Sequence, residues 1–161
     1  MADDPVVQTT YPEMMPVAVA GMPATMTTWD ADTKFVETAA GIDFARAVSR
    51  GASEKGVVIG GAATFIGVTY RDITLVTQVG GTVDKIPQKS LAGIMIRGDI
   101  WVDVSAAVVA GDPVIFNATT GRFGGATGSQ IAGAEWIRGQ ATVGGLALLR
   151  LGGKYTVTTV A

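Results

Sequence analysis

Apolar and polar residues alternate in short runs along most of this chain, and glycines or small polar residues end each run before it reaches helical length. The clearest alternation covers 100–104, where Ile100, Val102 and Val104 share one face of a strand and Trp101 and Asp103 share the other. Phe44, Arg46 and Val48 alternate with small residues ahead of a turn at 49–51. The stretch 57–70 is almost continuously apolar, but Gly60, Gly61 and Gly67 break it and argue against a helix. Residues 72–79 alternate loosely up to Gly80 and Gly81. A short strand is expected at 113–117, closed by a hairpin turn at 118–121, with 123–128 as a flexible glycine-rich loop. A last hairpin is expected from 145–151 and 155–160 around Gly152 and Gly153. The two short helix candidates are 32–40 and 104–110. Strands recurring every 8–12 residues or so predict an all-β fold, a compact barrel or sandwich of jelly-roll or tulip-like form.

Composition sharpens this picture. Val, Ile and Thr together supply 50 of the 161 residues, and Leu only 6. Branched β-carbons restrict χ1 and suit a pleated surface better than a helix. Charged residues make up 16% of the chain, below the quarter or so usual in globular domains, which fits a surface partly covered by a partner.

Residues 1–33 differ from the rest. They hold Pro5, Pro12, Pro16 and Pro23, five of the six methionines, five acids and no base, for a charge of −5; the remaining 128 residues carry +3. Prolines at this spacing exclude a long helix and disfavour a central strand. Yet Val6, Val7, Tyr11, Met14, Met15, Met22 and Trp29 make the segment too apolar for a solvated linker. The expectation is an extended N-terminal arm, 1–40, lying on another surface, followed by a β-rich body, 41–161.

Candidate chemistry is thin. There is no Cys and no His, which removes thiol nucleophiles, Cys-ligated metals and the commonest general base. Asp99 and Asp103 share a strand face but lie about 13 Å apart, too far for a pair of glycosidase carboxylates. No DxDxDG calcium loop, no GxSxG nucleophile motif and no GxxxxGK phosphate loop is present. Asn117-Ala118-Thr119 matches a glycosylation sequon and reads as a turn. Basic residues are dispersed and the net charge is −2, so nucleic acid is not an expected partner. The longest charge-free stretch, 14–29, is 16 residues and holds Pro16, Gly21 and Pro23, so no membrane span is expected. Without a basic start to a signal peptide, synthesis in a cytoplasm is expected. No catalytic residue, cofactor or metal is assigned.

Three stretches resemble a known family. They are 11–21 (Tyr-Pro-Glu-Met-Met-Pro-Val-Ala-Val-Ala-Gly), 41–51 running on to 65–69, and 99–104 leading to 109–116 and 120–123. Together they resemble the structural cement, or decoration, proteins of tailed-bacteriophage heads. One departure is Ala45-Arg46, standing where a glycine is expected. The resemblance implies a non-enzymatic capsid protein on the outer surface of the virion. It would bind the major capsid protein, associate with itself as a homotrimer, and lock the expanded shell. Tyr11, Met14, Met15, Met22 and Trp29 are the candidate capsid contacts. Two other classes remain open on the residues alone: another virion or adhesive β module, such as a tail or receptor-binding part, and an enzyme or small-ligand binder.

Overall fold

A computed structural model describes residues 17–24, 28–61, 64–72 and 85–160. Among the described residues ten strands occur, in chain order: β1 (Asp30–Val36), β2 (Ile42–Asp43), β3 (Ala47–Arg50), β4 (Gly56–Ile59), β5 (Phe65–Thr69), β6 (Lys85–Ile86), β7 (Leu91–Asp103), β8 (Ile115–Phe116), β9 (Gly128–Arg138) and β10 (Leu146–Val160). The fold is all-β, with no helix among the described residues. Strands β1-β4-β3-β5-β7 run side by side, and β1 also pairs with β7, which closes them into a barrel. Beyond β7 the sheet continues as β10-β9-β8, while β2 and β6 form a separate short pair.

Strand β7 organises the whole. One of its edges is shared by β5, opposite Ile94 and Met95, and β10, opposite 97–103. Its other edge carries β1, which faces Arg97 and 91–95. The register slips at Ile96, a bulge that reverses which residues face which side. Ahead of it, Ala92 and Ile94 join Val36, Ile42, Phe44, Val48, Val57 and Ile86 in one buried cluster. Met95, Ile100 and Val102 join Phe65, Phe116, Phe123, Trp136 and Leu149 in a second. Asp99, Trp101 and Asp103 therefore face away from the second cluster, as the alternation at 100–104 requires.

Several local readings are corrected by this architecture. The helix candidate at 32–40 is β1 and the turn after it, because its residues find two strand partners, β4 and β7. The candidate at 104–110 is irregular, tied by isolated bridges from Val104 to Phe123 and from Val108 to Gln140. Phe123, expected in a flexible loop, is fully buried. The expected hairpin around Gly152 and Gly153 is instead one strand, β10, kinked where its pairing with β9 slips between Leu151 and Thr156. Gly133, opposite this kink, has φ +94, and a Cβ there would lie 2.2 Å from the Lys154 carbonyl oxygen, so glycine is required. The alternation at 72–79 lies mostly outside the described residues.

The hairpin at 113–121 is found. Asn117 Oδ1 accepts from the backbone N–H groups of Thr119 at 2.8 Å and Thr120 at 3.0 Å, and Gly121 N–H closes the turn on the Asn117 carbonyl at 2.8 Å. Ala45 adopts φ +61 while fully buried, which explains why glycine is expected beside Phe44. Its N–H donates to the Thr69 carbonyl at 2.8 Å, and Arg46 N–H donates to Thr69 Oγ1 at 3.0 Å.

Glu37 secures the turn between β3 and β4. Its carboxylate accepts from the N–H groups of Ala52 (2.7 Å) and Ser53 (2.9 Å) and from the Ser53 hydroxyl. These donors, the Ser53 hydroxyl first, hold the carboxyl below its ordinary value of 4.5. A lowered folded value means the contribution is complete above the unfolded pKa and is lost as pH falls through the folded one. Amide-exchange protection of Ala52 and Ser53 is therefore expected to be high above the ordinary carboxylate range, to fall only once the pH drops below it, and to be absent in Glu37→Ala under both conditions. Protection that ignores both acid and the substitution would refute this role.

Candidate functional site

The described part of the segment expected as an arm is hydrogen-bonded into the body. Residues 21–24 run antiparallel to β7 along the edge that β1 occupies further on. Gly21 N–H donates to the Trp101 carbonyl at 2.7 Å, Trp101 N–H to the Met22 carbonyl at 3.0 Å, and Ala24 N–H to the Asp99 carbonyl at 2.8 Å. Arg71 grips the other side, its backbone N–H donating to the Gly21 carbonyl at 2.7 Å and its Nε to the Ala20 carbonyl at 3.2 Å. Gly21 has φ +82, and a Cβ there would stand 3.0 Å from Phe44 Cβ and Arg71 N, so the strap lies close against the body.

Ala18 and Gly21 face inward, while Val17, Val19 and Met22 face out. Met22 is 39% exposed and Trp29, just before β1, is 41% exposed. Trp29 is not loose, because its ring stands edge-on to Tyr70 at 5.6 Å and its Cβ packs against Gly98. Val17, Val19, Met22 and Trp29 are thus exposed apolar side chains, and Met22 stands on backbone hydrogen-bonded to β7. Of the five sequence-derived contact candidates, Met22 and Trp29 are among these exposed residues, and Tyr11, Met14 and Met15 lie outside the described residues.

A second apolar spot escapes sequence reasoning. Phe35 on β1 and Leu91 on β7 are direct cross-strand partners, and both are about half exposed. Only the register of β1 against β7 brings them together.

The acidic groups are engaged by arginines and lysine. Asp99 is buried and takes a bidentate grip from Arg150, Nε to Oδ1 at 2.8 Å and Nη2 to Oδ2 at 3.0 Å. Asp103 receives Arg46 Nη1 at 2.6 Å and Arg122 Nη2 at 2.9 Å. Asp32 pairs with Lys34 at 2.8 Å, the contact that mainly holds its carboxyl below the ordinary value. Among the described residues no three His, Cys, Asp or Glu side chains gather as a metal site. These ion pairs tie strands and turns together.

The model of one protein family, described as structural cement protein (E217 gp24/Pam3 gp6), matches residues 7–152. A chain in the solved capsid of Myoviridae phage XM1 has the same fold, with a TM-score of 0.64 at 22% identity, covering 94% of this chain and 98% of that one. No curated protein matches.

Proposed function

The chain belongs to the structural cement protein family of phage capsids, and from that premise we propose that it binds the outer surface of the head and bridges major capsid subunits, stabilising the expanded shell without catalysis. Its place is the virion capsid. The partner is the major capsid protein, and copies of this chain associate as homotrimers on the shell. The observation that carries the reading is the exposure of Val17, Val19, Met22 and Trp29, with Met22 on backbone hydrogen-bonded to β7 and Trp29 held against Tyr70 and Gly98. Side chains held in place as Met22 and Trp29 are lose little entropy on docking, so more of their apolar burial survives as affinity. Tyr11, Met14 and Met15 extend the same contact from the chain ahead of the strap. Met fills irregular grooves and Trp buries a large area, which suits a seam between subunits.

The test compares shells decorated with the natural chain, with a chain beginning at residue 17, and with a Met22→Ser/Trp29→Ser variant. Cuts further in would remove the strap and β1, and with them the barrel. Burying what remains exposed of Met22 and Trp29 contributes about 1.5–3 kcal/mol, so the double variant should bind about tenfold or more weakly. Both altered proteins should protect shells less against heat at equal added concentration. Identical binding and identical shell melting would refute these contacts.

A further inference from the structure

We infer that a hollow on the outer face of β7, beside Met22 and Trp29, takes a side-chain carboxylate of the major capsid protein, held chiefly by Arg97. This rests on the proposed capsid binding and assigns its charged anchor. The hollow has a volume of about 250 Å³ and is lined by Thr28, Arg97, Gly98, Asp99, Arg150 and Leu151. Its own acid is already engaged, because Asp99 is buried and Arg150 occupies both of its oxygens. Arg150 also reaches Glu135 at 3.5 Å, outside the hollow. Arg97 is different. It is exposed, and among the described residues no carboxylate pairs with it. Asp30, its cross-strand neighbour on β1, forms no ion pair with it and does not line the hollow. The planar fork of a guanidinium matches a carboxylate with two parallel hydrogen bonds, so a carboxylate is the ligand that Arg97 suits best.

The guanidinium of Arg97 is unpaired, but its stem is held. A Cβ at Gly153 would lie 3.5 Å from Arg97 Cβ and 3.6 Å from its Cδ, so the stem passes over the glycine kink of β10. A side chain placed in this way gives up less freedom when its head is bound. The surroundings point to the partner. The strap sets Met22 opposite Trp101 and Ala24 opposite Asp99, so Met22 stands one row of side chains from the hollow. On the other side, Thr28 lines the hollow and Trp29 packs on Gly98. A surface that covers both Met22 and Trp29 therefore covers Arg97 as well. It must then offer Arg97 an acid, because a guanidinium buried without one would offset the apolar gain. The body of a second copy is a poorer match, since residues 34–161 carry a net +3.

Sedimentation with shells stripped of this protein, in low and in high salt, tests the site. Arg97→Glu should bind about tenfold more weakly in low salt and should lose most of the natural chain's salt dependence. Lys55→Glu, the same charge change at an exposed position in the turn before β4, should cost less than about twofold. Arg97→Lys keeps the charge and supplies an amine. Carbodiimide, which condenses an amine with a carboxylate in contact, should then join position 97 to the major capsid protein on decorated shells. Equal binding by Arg97→Glu and the natural chain, or an equal loss in Lys55→Glu, would overturn the assignment. So would a position 97 joined instead to Asp3, Asp4 or Glu13 of this chain. A natural chain that sediments with shells at neither salt concentration would overturn the capsid reading itself, and this site with it.

Discussion

Phe123→Ala should destabilise the protein by about 3–5 kcal/mol, the cost of removing a fully buried aromatic side chain from a core that cannot close around the gap. Phe123 is completely buried, with its ring 6.2 Å from Phe116 and edge-on to Trp136 at 6.3 Å. Phe116 in turn packs on Phe65 at 5.6 Å, and Phe65 on Tyr155. This line of rings runs from the 113–121 hairpin to the point where β10 leaves β7, so a hole at Phe123 loosens both ends of the sheet extension. Backbone bridges from Phe123 to Val104 and Phe116 fix its position and limit collapse into the void. Urea unfolding of the natural and substituted proteins measures the difference, and Phe123→Leu should lose less than half as much. A loss under about 1 kcal/mol would mean that this ring is dispensable to the core.

Asp103→Ala is expected to cost about 3 kcal/mol, because it strands a charge rather than merely deleting a contact. The Arg46 side chain is only 11% exposed and Asp103 only 16%, so water cannot replace the carboxylate. With Arg122 on its second oxygen, Asp103 joins three parts of the chain: the end of β7, the turn before β3, and the hairpin after β8. A second substitution, Arg46→Met, made on top of Asp103→Ala should recover much of the loss by removing a guanidinium left with only its longer contact to Asp43 at 3.7 Å. Asp103→Ala as stable as the natural protein, or a double variant no better than the single, would show that the pair is not buried in effect.

The capsid-contact candidates were legible in the sequence to the extent that apolar side chains on a proline-bearing, acidic segment need a surface. Met22 and Trp29 are exposed as that argument requires. What composition could not convey is that the backbone around Met22 is strapped to β7, since those hydrogen bonds join positions some eighty residues apart, Gly21 with Trp101 and Ala24 with Asp99. Phe35 and Leu91 were invisible for the same reason, because their juxtaposition is a matter of register between distant strands.

Local chemistry alone determined the features that close within a few residues. These are the alternation at 100–104, the glycine break between β4 and β5, the Asn117 turn, and an all-β fold from a surplus of branched residues and glycines. The tertiary structure decided everything that depends on a partner strand. The segment 32–40 is β1 because β4 and β7 flank it, and Phe123 is core because Trp136 and Phe116 close over it. Gly152 and Gly153 bend one strand instead of turning between two, because β10 changes partners there from β7 to β9 alone. Periodicity reports which side of a strand is apolar, whereas pairing energy lies in contacts between strands far apart in the chain, which no short window of sequence contains.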